Sequence, residues 1–311
     1  MRLIFLGTPA FAVPTLESVV AAGHRVLTVV TQPDRPRGRG QNAAPPPVKQ
    51  AALRLGLPVY QPERVRRPEP VEHLRAIAVD AMVVVGYGQI IPQSIIDMAP
   101  AGIVNVHGSL LPKYRGAGPI QWAILNGETR TGVTTMRIDA GLDTGDMLLK
   151  AETEIGPDES AVELGGRLAA MGADLLVETL AGLEAGRIVP EKQDNALATY
   201  APLLKKEDGR IDWTRDACAI HNQVRGLQPW PGASTVFRGQ ALHIWRSRVG
   251  SESRAGDPGS FASIKPPVVH CGTGTLELVE VQTEGRKRIP AADFANGQRL
   301  TENDYLGGAS A

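Results

Sequence analysis

Two stretches of the chain carry residue types able to do chemistry together. Residues 105–116 read NVHGSLLPKYRG, and residues 141–146 read GLDTGD. In the first, an amide and an imidazole stand two positions apart, at Asn105 and His107. Side chains alternate along a strand, so both would project to one face while Val104 and Val106 project to the other. Two N–H donors converging on one point suit an oxygen that gains negative charge during a reaction. In the second stretch Asp143 lies between Gly141 and Gly145 on a turn-rich connection. A carboxylate brought beside an imidazole fixes its orientation and favours the imidazolium. No G-x-S-x-G, H-E-x-x-H or activated serine or cysteine accompanies the trio, so direct transfer to an incoming nucleophile fits better than covalent catalysis. Plainer roles stay open. His107 could be a structural histidine, and Asp139, Asp143 and Asp146 could cap turns, as Asp beside Gly commonly does. A metal cluster of these aspartates has neither the EF-hand spacing nor a histidine pair behind it, so no metal is expected.

The elements that must hold these residues follow from apolar patterning. The first half alternates β-branched runs at 3–6, 26–31, 81–85 and 103–107 with amphipathic segments at 14–22, 48–55 and 119–126. That alternation predicts an α/β fold, a parallel sheet covered by helices on both faces. Ligands of such sheets bind beyond the carboxyl ends of the strands, where Asn105 and His107 would sit. Next come a strand pair at 133–138 and 147–153 and a long helix starting at Ser160, whose spacing to Glu163 is that of a capping box. Residues 191–209, EKQDNALATYAPLLKKEDG, read as a polar connector between domains. Beyond it, one helical stretch at 216–225 and several short strands separated by turn residues predict a small β-barrel. The expected division is a catalytic domain over 1–189, a linker over 190–206 and a second domain over 207–311.

Composition agrees with two domains: 311 residues, 42% hydrophobic and 21% charged, supply a sizeable core and lie far from disorder. Thirty-three Lys and Arg balance thirty-three Asp and Glu, so the whole surface is not a polyanion trap and any such site must be a local patch. Cys218 and Cys271 build neither a disulfide framework nor a Cys-rich zinc site; they read as packing residues of a cytoplasmic protein. No secretory leader and no membrane-spanning run is read from the chain. The opening GTPAFAVP at 7–14 lacks G-x-G-x-x-G, which weakens a nicotinamide site. In residues 32–47, Arg35, Arg37 and Arg39 alternate with Gly and Pro without apolar periodicity. This is expected to be a mobile surface loop, either merely solvated or a phosphate-gripping arm that orders on binding.

The run NVHGSLLPKYRG with GLDTGD downstream resembles the folate-dependent formyltransferases, and TQPDRPRGRG at 31–40 with RIDW…QPWPGA at 210–233 extends the likeness over nearly the entire chain. The resemblance implies a Rossmann-like, doubly wound, mostly parallel sheet with a smaller C-terminal OB-fold-like β-barrel. It implies transfer of a formyl group from 10-formyltetrahydrofolate to the amino group of methionine esterified to initiator tRNA, by a monomer with no membrane association. Carried over by position, the catalytic residues are Asn105, His107 and Asp143. Tetrahydrofolate would lie beside Ser109, Leu110, Leu111 and Pro112, with the pterin near Gly86, Tyr87, Gly88, Gln89 and Ile90. Arg39 matches a basic residue of the arm that meets the tRNA acceptor end. Gln41 stands where a second basic residue is common, so the grip would rest on Arg37 and Arg39. The C-terminal barrel would contact the rest of the tRNA through a patch including Arg286, Lys287 and Arg288. Two rivals share parts of this pattern. A formyltransferase acting on a small amine, such as an amino sugar nucleotide, would keep the trio without needing the RPRGRG arm. A non-catalytic RNA-binding protein would keep the architecture alone.

Overall fold

A computed structural model describes residues 1–36, 43–250 and 256–307. The chain divides into two compact units. The first is Met1–Pro119, Thr131–Thr153 and Gly165–Ala201; the second is Ile120–Arg130, Glu154–Leu164 and Pro202–Ala311.

The strands of the first unit are β1 (Arg2–Gly7), β2 (Arg25–Val30), β3 (Arg35–Pro36), β4 (Ala43–Ala44), β5 (Val59–Tyr60), β6 (Ala81–Val85), β7 (Ile103–His107), β8 (Arg130–Arg137) and β9 (Met147–Glu154). Seven of them form one sheet in the order β5-β2-β1-β6-β7-β8-β9. Pairing is parallel from β5 through β7 and turns antiparallel at β8. The chain builds outward from β1 in one direction and then, from β6 on, in the other, which makes the sheet doubly wound. Leu3, Ile4, Phe5 and Leu6 are fully buried, as a central parallel strand with both faces covered requires.

The helices are α1 (Val13–Ala21), α2 (Pro47–Arg54), α3 (Pro68–Arg75), α4 (Gln93–Ile96), α5 (Pro119–Leu125) and α6 (Ala161–Glu184). The expected capping box opens α6: the Ser160 N–H donates to Glu163 Oε2 at 2.8 Å and the Glu163 N–H to Ser160 Oγ at 3.3 Å. Further along, Gly172 of α6 lies so close to β7 that a Cβ there would come within 2.7 Å of Val106 Cγ1. Thus α6 covers the Val104/Val106 face and leaves the Asn105/His107 face for other partners.

In the second unit, α7 (Ala217–Gly226) precedes β10 (Ala233–Phe237), β11 (Gln240–Val249), β12 (Phe261–Ile264), β13 (Pro267–His270), β14 (Thr275–Thr283) and β15 (Ile289–Pro290), and α8 (Ala291–Gln298) follows. The strands form an antiparallel sheet in the order β10-β11-β14-β13-β12, with β15 added on β14. Trp213, Ile220, Leu242, Ile244, Leu276 and Phe294 are among its core residues. The chain adopts the fold class read from the sequence, a doubly wound, mostly parallel sheet followed by a smaller β domain; in that second unit, expected to be an OB-fold-like barrel, the described strands form an antiparallel sheet.

Several segments differ from expectation. Residues 32–47 contain the short antiparallel pair β3/β4, Arg35 with Ala44 and Pro36 with Ala43, because two-residue pairing leaves no apolar period to read. Helices α3, α4 and α8 have no counterpart among the helices read from the sequence. Residues 191–201, polar enough to pass as a connector, are bonded into the first unit. Glu191 and Met147 exchange two backbone hydrogen bonds of 2.8 Å, and Arg115 bonds through its backbone to Thr199 and Ala201 at 2.8 and 2.7 Å. No helix among the described residues is long and apolar enough to cross a membrane.

Candidate active site

Strand β7 ends at the carboxyl edge of the parallel sheet with Asn105 and His107 both largely buried, at 9% and 6% exposure. Across the antiparallel junction His107 pairs with Thr134 of β8. The Thr134 hydroxyl donates to the Ser109 carbonyl at 2.7 Å and accepts from the Leu111 N–H at 3.1 Å. Ser109 Oγ donates to the Lys113 carbonyl at 2.6 Å. These bonds fold 109–113 back on itself, and the returning chain delivers the Tyr114 carbonyl to His107 Nε2 at 2.9 Å. A carbonyl only accepts, so Nε2 carries the hydrogen and is spent. The other ring nitrogen, Nδ1, faces Asp143 Oδ2 at 3.7 Å.

The same Oδ2 accepts the Gly116 N–H at 2.8 Å, so the chain just past the turn also locates the carboxylate. Tyr114 and Asp143 both have left-handed backbones, φ 61° and 51°. Such a conformation costs a residue with a side chain roughly 1–2 kcal/mol, and the surrounding bonds sustain it. Gly145 lets the loop approach β8: a Cβ there would overlap the Arg137 carbonyl oxygen. The aspartates separate by role. Asp139 accepts from the Gly141 N–H at 3.0 Å and from the Thr144 hydroxyl, the work of a turn cap, whereas Asp143 turns to His107. Among the described residues no cluster of three or more His, Cys, Asp or Glu is arranged to hold a metal ion.

The loop 86–90 leaves the same edge of the sheet, after β6, where the winding direction reverses beside β1. Gly86 and Gly88 have φ 55° and 83°, and a Cβ on Gly86 would fall 2.9 Å from Pro9 Cγ. Tyr87 is buried; its carbonyl accepts from Thr8 Oγ1 at 2.9 Å and Gln32 Nε2 at 3.2 Å, and burial pushes its phenol pKa up. The Gln89 amide oxygen accepts the Val65 N–H at 2.8 Å, which braces the loop from behind. Ile90 is 82% exposed. Leu111 is buried against Met136 and Met147, while Leu110 and Pro112 are half-buried. Arg37 and Arg39 lie outside the described residues. Sequence reasoning missed Thr134, the Tyr114 carbonyl, the Gly116 N–H and Thr199, whose Oγ1 accepts the Tyr114 N–H at 2.9 Å. Only Thr134 left a trace, a polar residue on a buried strand, and its meaning depends on the β7/β8 register.

Comparison with known proteins bears on the chemistry of this edge. Residues 1–180 match the family model described as formyl transferase, and residues 203–299 match the model for the formyl transferase C-terminal domain. The chain belongs to the formyl transferase family. One relative in this family, the methionyl-tRNA formyltransferase of Solibacter usitatus (strain Ellin6076), is 76% identical over 307 residues, which span 99% of each chain. Among solved structures, the N-formyltransferase of Helicobacter canadensis, determined with folinic acid and dTDP-3-aminofucose, shares the formyl transferase fold at TM-score 0.66 and 18% identity, over 89% of this chain and 99% of that one. A variant of HypX from Aquifex aeolicus matches at TM-score 0.66 and 17% identity, over 97% of this chain and 49% of that one. This chain therefore spans about half the length of HypX.

Proposed function

We propose that this formyl transferase moves the formyl group of 10-formyltetrahydrofolate to the amino group of methionine on initiator tRNA, giving N-formylmethionyl-tRNA for translation initiation. The observation that carries this reading is the His107–Asp143 contact of 3.7 Å at the end of β7, with Nε2 of the same ring already committed to a carbonyl. An amine attacking a formyl carbon drives negative charge onto the carbonyl oxygen, and fixed N–H donors stabilise that charge. Asn105 is one such donor: among the described residues its amide has no hydrogen-bond partner. With Nε2 of His107 committed to the Tyr114 carbonyl, Nδ1 is the ring atom left to act on the substrate. Asp143, held by Gly116, orients the imidazole and takes up the proton that the attacking amine loses.

The folate-binding residues in this reading are Gly86, Tyr87, Gly88, Gln89 and Ile90 with Ser109, Leu110, Leu111 and Pro112. They fit a flat heteroaromatic donor, since an exposed Ile90 and the backbone of two left-handed glycines stand on the same sheet edge as a rigid turn. Arg37 and Arg39 grip the acceptor end of the tRNA, residues 207–311 bind the rest of it, and 1–189 carry the chemistry; of the expected joining segment 190–206, residues 191–201 are bonded into the first unit. The protein works as a monomer in the cytoplasm and needs no metal. Full-length similarity to a relative bearing the methionyl-tRNA formyltransferase name supports the choice of acceptor.

The test is to mix the protein with 10-formyltetrahydrofolate and charged initiator tRNA and to look for formylmethionine. The expected result is formylation that disappears when residues 35–40 are deleted. Formylation of an amino sugar nucleotide but not of the tRNA would overturn the acceptor, and no transfer to any amine would overturn the enzyme.

A further inference from the structure

We infer that Gln193 is a positioning residue for Asp143, a role that rests on the catalytic reading of Asp143 and places part of the supposed connector inside the active-site frame. Within 191–197 Gln193 alone is not exposed. A glutamine side chain has two N–H donors and a carbonyl oxygen with two lone pairs, and here all four are used. Nε2 donates to the carbonyls of Asp143 and Gly145 at 2.8 Å each. Oε1 accepts from Arg115 Nε at 3.0 Å and Nη2 at 2.7 Å.

Arg115 is itself immobilised. It is 2% exposed, its Nη2 also donates to Asn195 Oδ1 at 2.9 Å, and its backbone bonds to Thr199 and Ala201. Gln193 therefore transmits a fixed point to the loop that carries Asp143. The need for that grip is local. Asp143 sits at φ 51°, a conformation its own side chain disfavours, and the two carbonyls Gln193 holds are that of Asp143 and one two residues on. Without those two donors the carboxylate keeps its tie to the Gly116 N–H while the backbone beneath it is released. A carboxylate displaced from His107 by even 1 Å loses alignment that is worth up to about 100-fold in rate.

The test compares Gln193→Ala, Gln193→Glu, Asp143→Asn and the Gln193→Ala/Asp143→Asn double variant, by steady-state kinetics with 10-formyltetrahydrofolate and initiator methionyl-tRNA. Gln193→Ala is expected to lower kcat roughly 10- to 100-fold while KM for both substrates stays within about twofold. Gln193→Glu keeps the pairing with Arg115 but offers the two carbonyls no N–H, so it should lose as much. Should Gln193→Ala fail to fold, the glutamate variant carries the same test. Because Gln193 acts through Asp143, the double variant should be no more than about twofold slower than Asp143→Asn alone. Wild-type kcat in Gln193→Ala, full activity in Gln193→Glu, or multiplicative losses in the double variant would each overturn the assignment. Failure of the underlying reading is distinguishable: wild-type turnover in Asp143→Asn removes the catalytic role itself and this inference with it. Impaired Asp143→Asn beside unimpaired Gln193→Ala removes the inference alone.

Discussion

At His107 the chemistry open to the residue is set by which ring nitrogen is already spent. Nε2 is bonded to the Tyr114 carbonyl, so whatever the ring does to a substrate it does through Nδ1, the nitrogen that faces Asp143. The same logic separates two neighbouring aspartates that look alike on paper. Asp139 is consumed by its own turn, while Asp143 is directed at the imidazole. We expect His107→Ala and Asp143→Asn each to lower turnover by about 10²- to 10³-fold, the usual cost of losing a charge-stabilising donor or a positioned proton acceptor. Affinity for methionyl-tRNA, measured by competition binding, should remain within about twofold, because in this reading the phosphate contacts that dominate affinity are made by other residues. Turnover at the wild-type level in either variant would count against the proposed mechanism. The residue types were legible in NVHGSLLPKYRG and GLDTGD. The assignment of Nε2 to a carbonyl seven residues away was not, since it depends on how the turn between them closes.

Strand β7 and helix α6 show how an element fixes a site it does not belong to. Val106 and Val133 are buried and β-branched, so they have little freedom to yield, and Gly172 is the gap that lets α6 approach them. In Gly172→Ala the new Cβ would meet Val106 Cγ1 at 2.7 Å and Val133 Cγ1 at 3.3 Å. Alanine improves helix propensity by about 1 kcal/mol, but overpacking costs about 1–3 kcal/mol. We expect overpacking to win, seen as a lower urea midpoint, and kcat to fall with it because β7 also carries Asn105 and His107. An unchanged midpoint would show that α6 is free to move away. The strands and the capped start of α6 were legible because their signals are periodic and span several residues. Helix α8 was not: Ala291–Gln298 includes Asn296 and Gly297, poor helix formers, and is held by tertiary packing of Phe294 and Ala295 rather than by propensity.

For the whole molecule, a balance of thirty-three positive against thirty-three negative side chains means that no general field draws in a polyanion. If tRNA binds through the arm at 35–40, association should be salt-sensitive only through that local contact and whatever the second unit adds. The slope of log affinity against log salt should fall by about 2 in the Arg37→Ala/Arg39→Ala double variant, measured from 50 to 200 mM salt. An unaltered slope would remove both arginines from the phosphate contacts.

From the sequence alone one could read the parallel sheet covered by helices, the β unit that follows it, and the strand that presents Asn105 and His107 to one side; the choice of Asp143 as their partner is what the family resemblance implies. The sheet, the β unit and the strand are written in alternation, caps and turn residues, signals carried by near neighbours. The tertiary structure alone decided which nitrogen of His107 is free, that Thr134 locks the turn beside it, and that residues 191–201 belong to the first unit. Those outcomes rest on pairings such as Arg115 with Gln193, 78 positions apart, and Gln193 with Asp143, 50 apart. A polar side chain looks the same in a string of letters whether it ends in water or on a buried backbone carbonyl, because only closure of the intervening chain chooses between them.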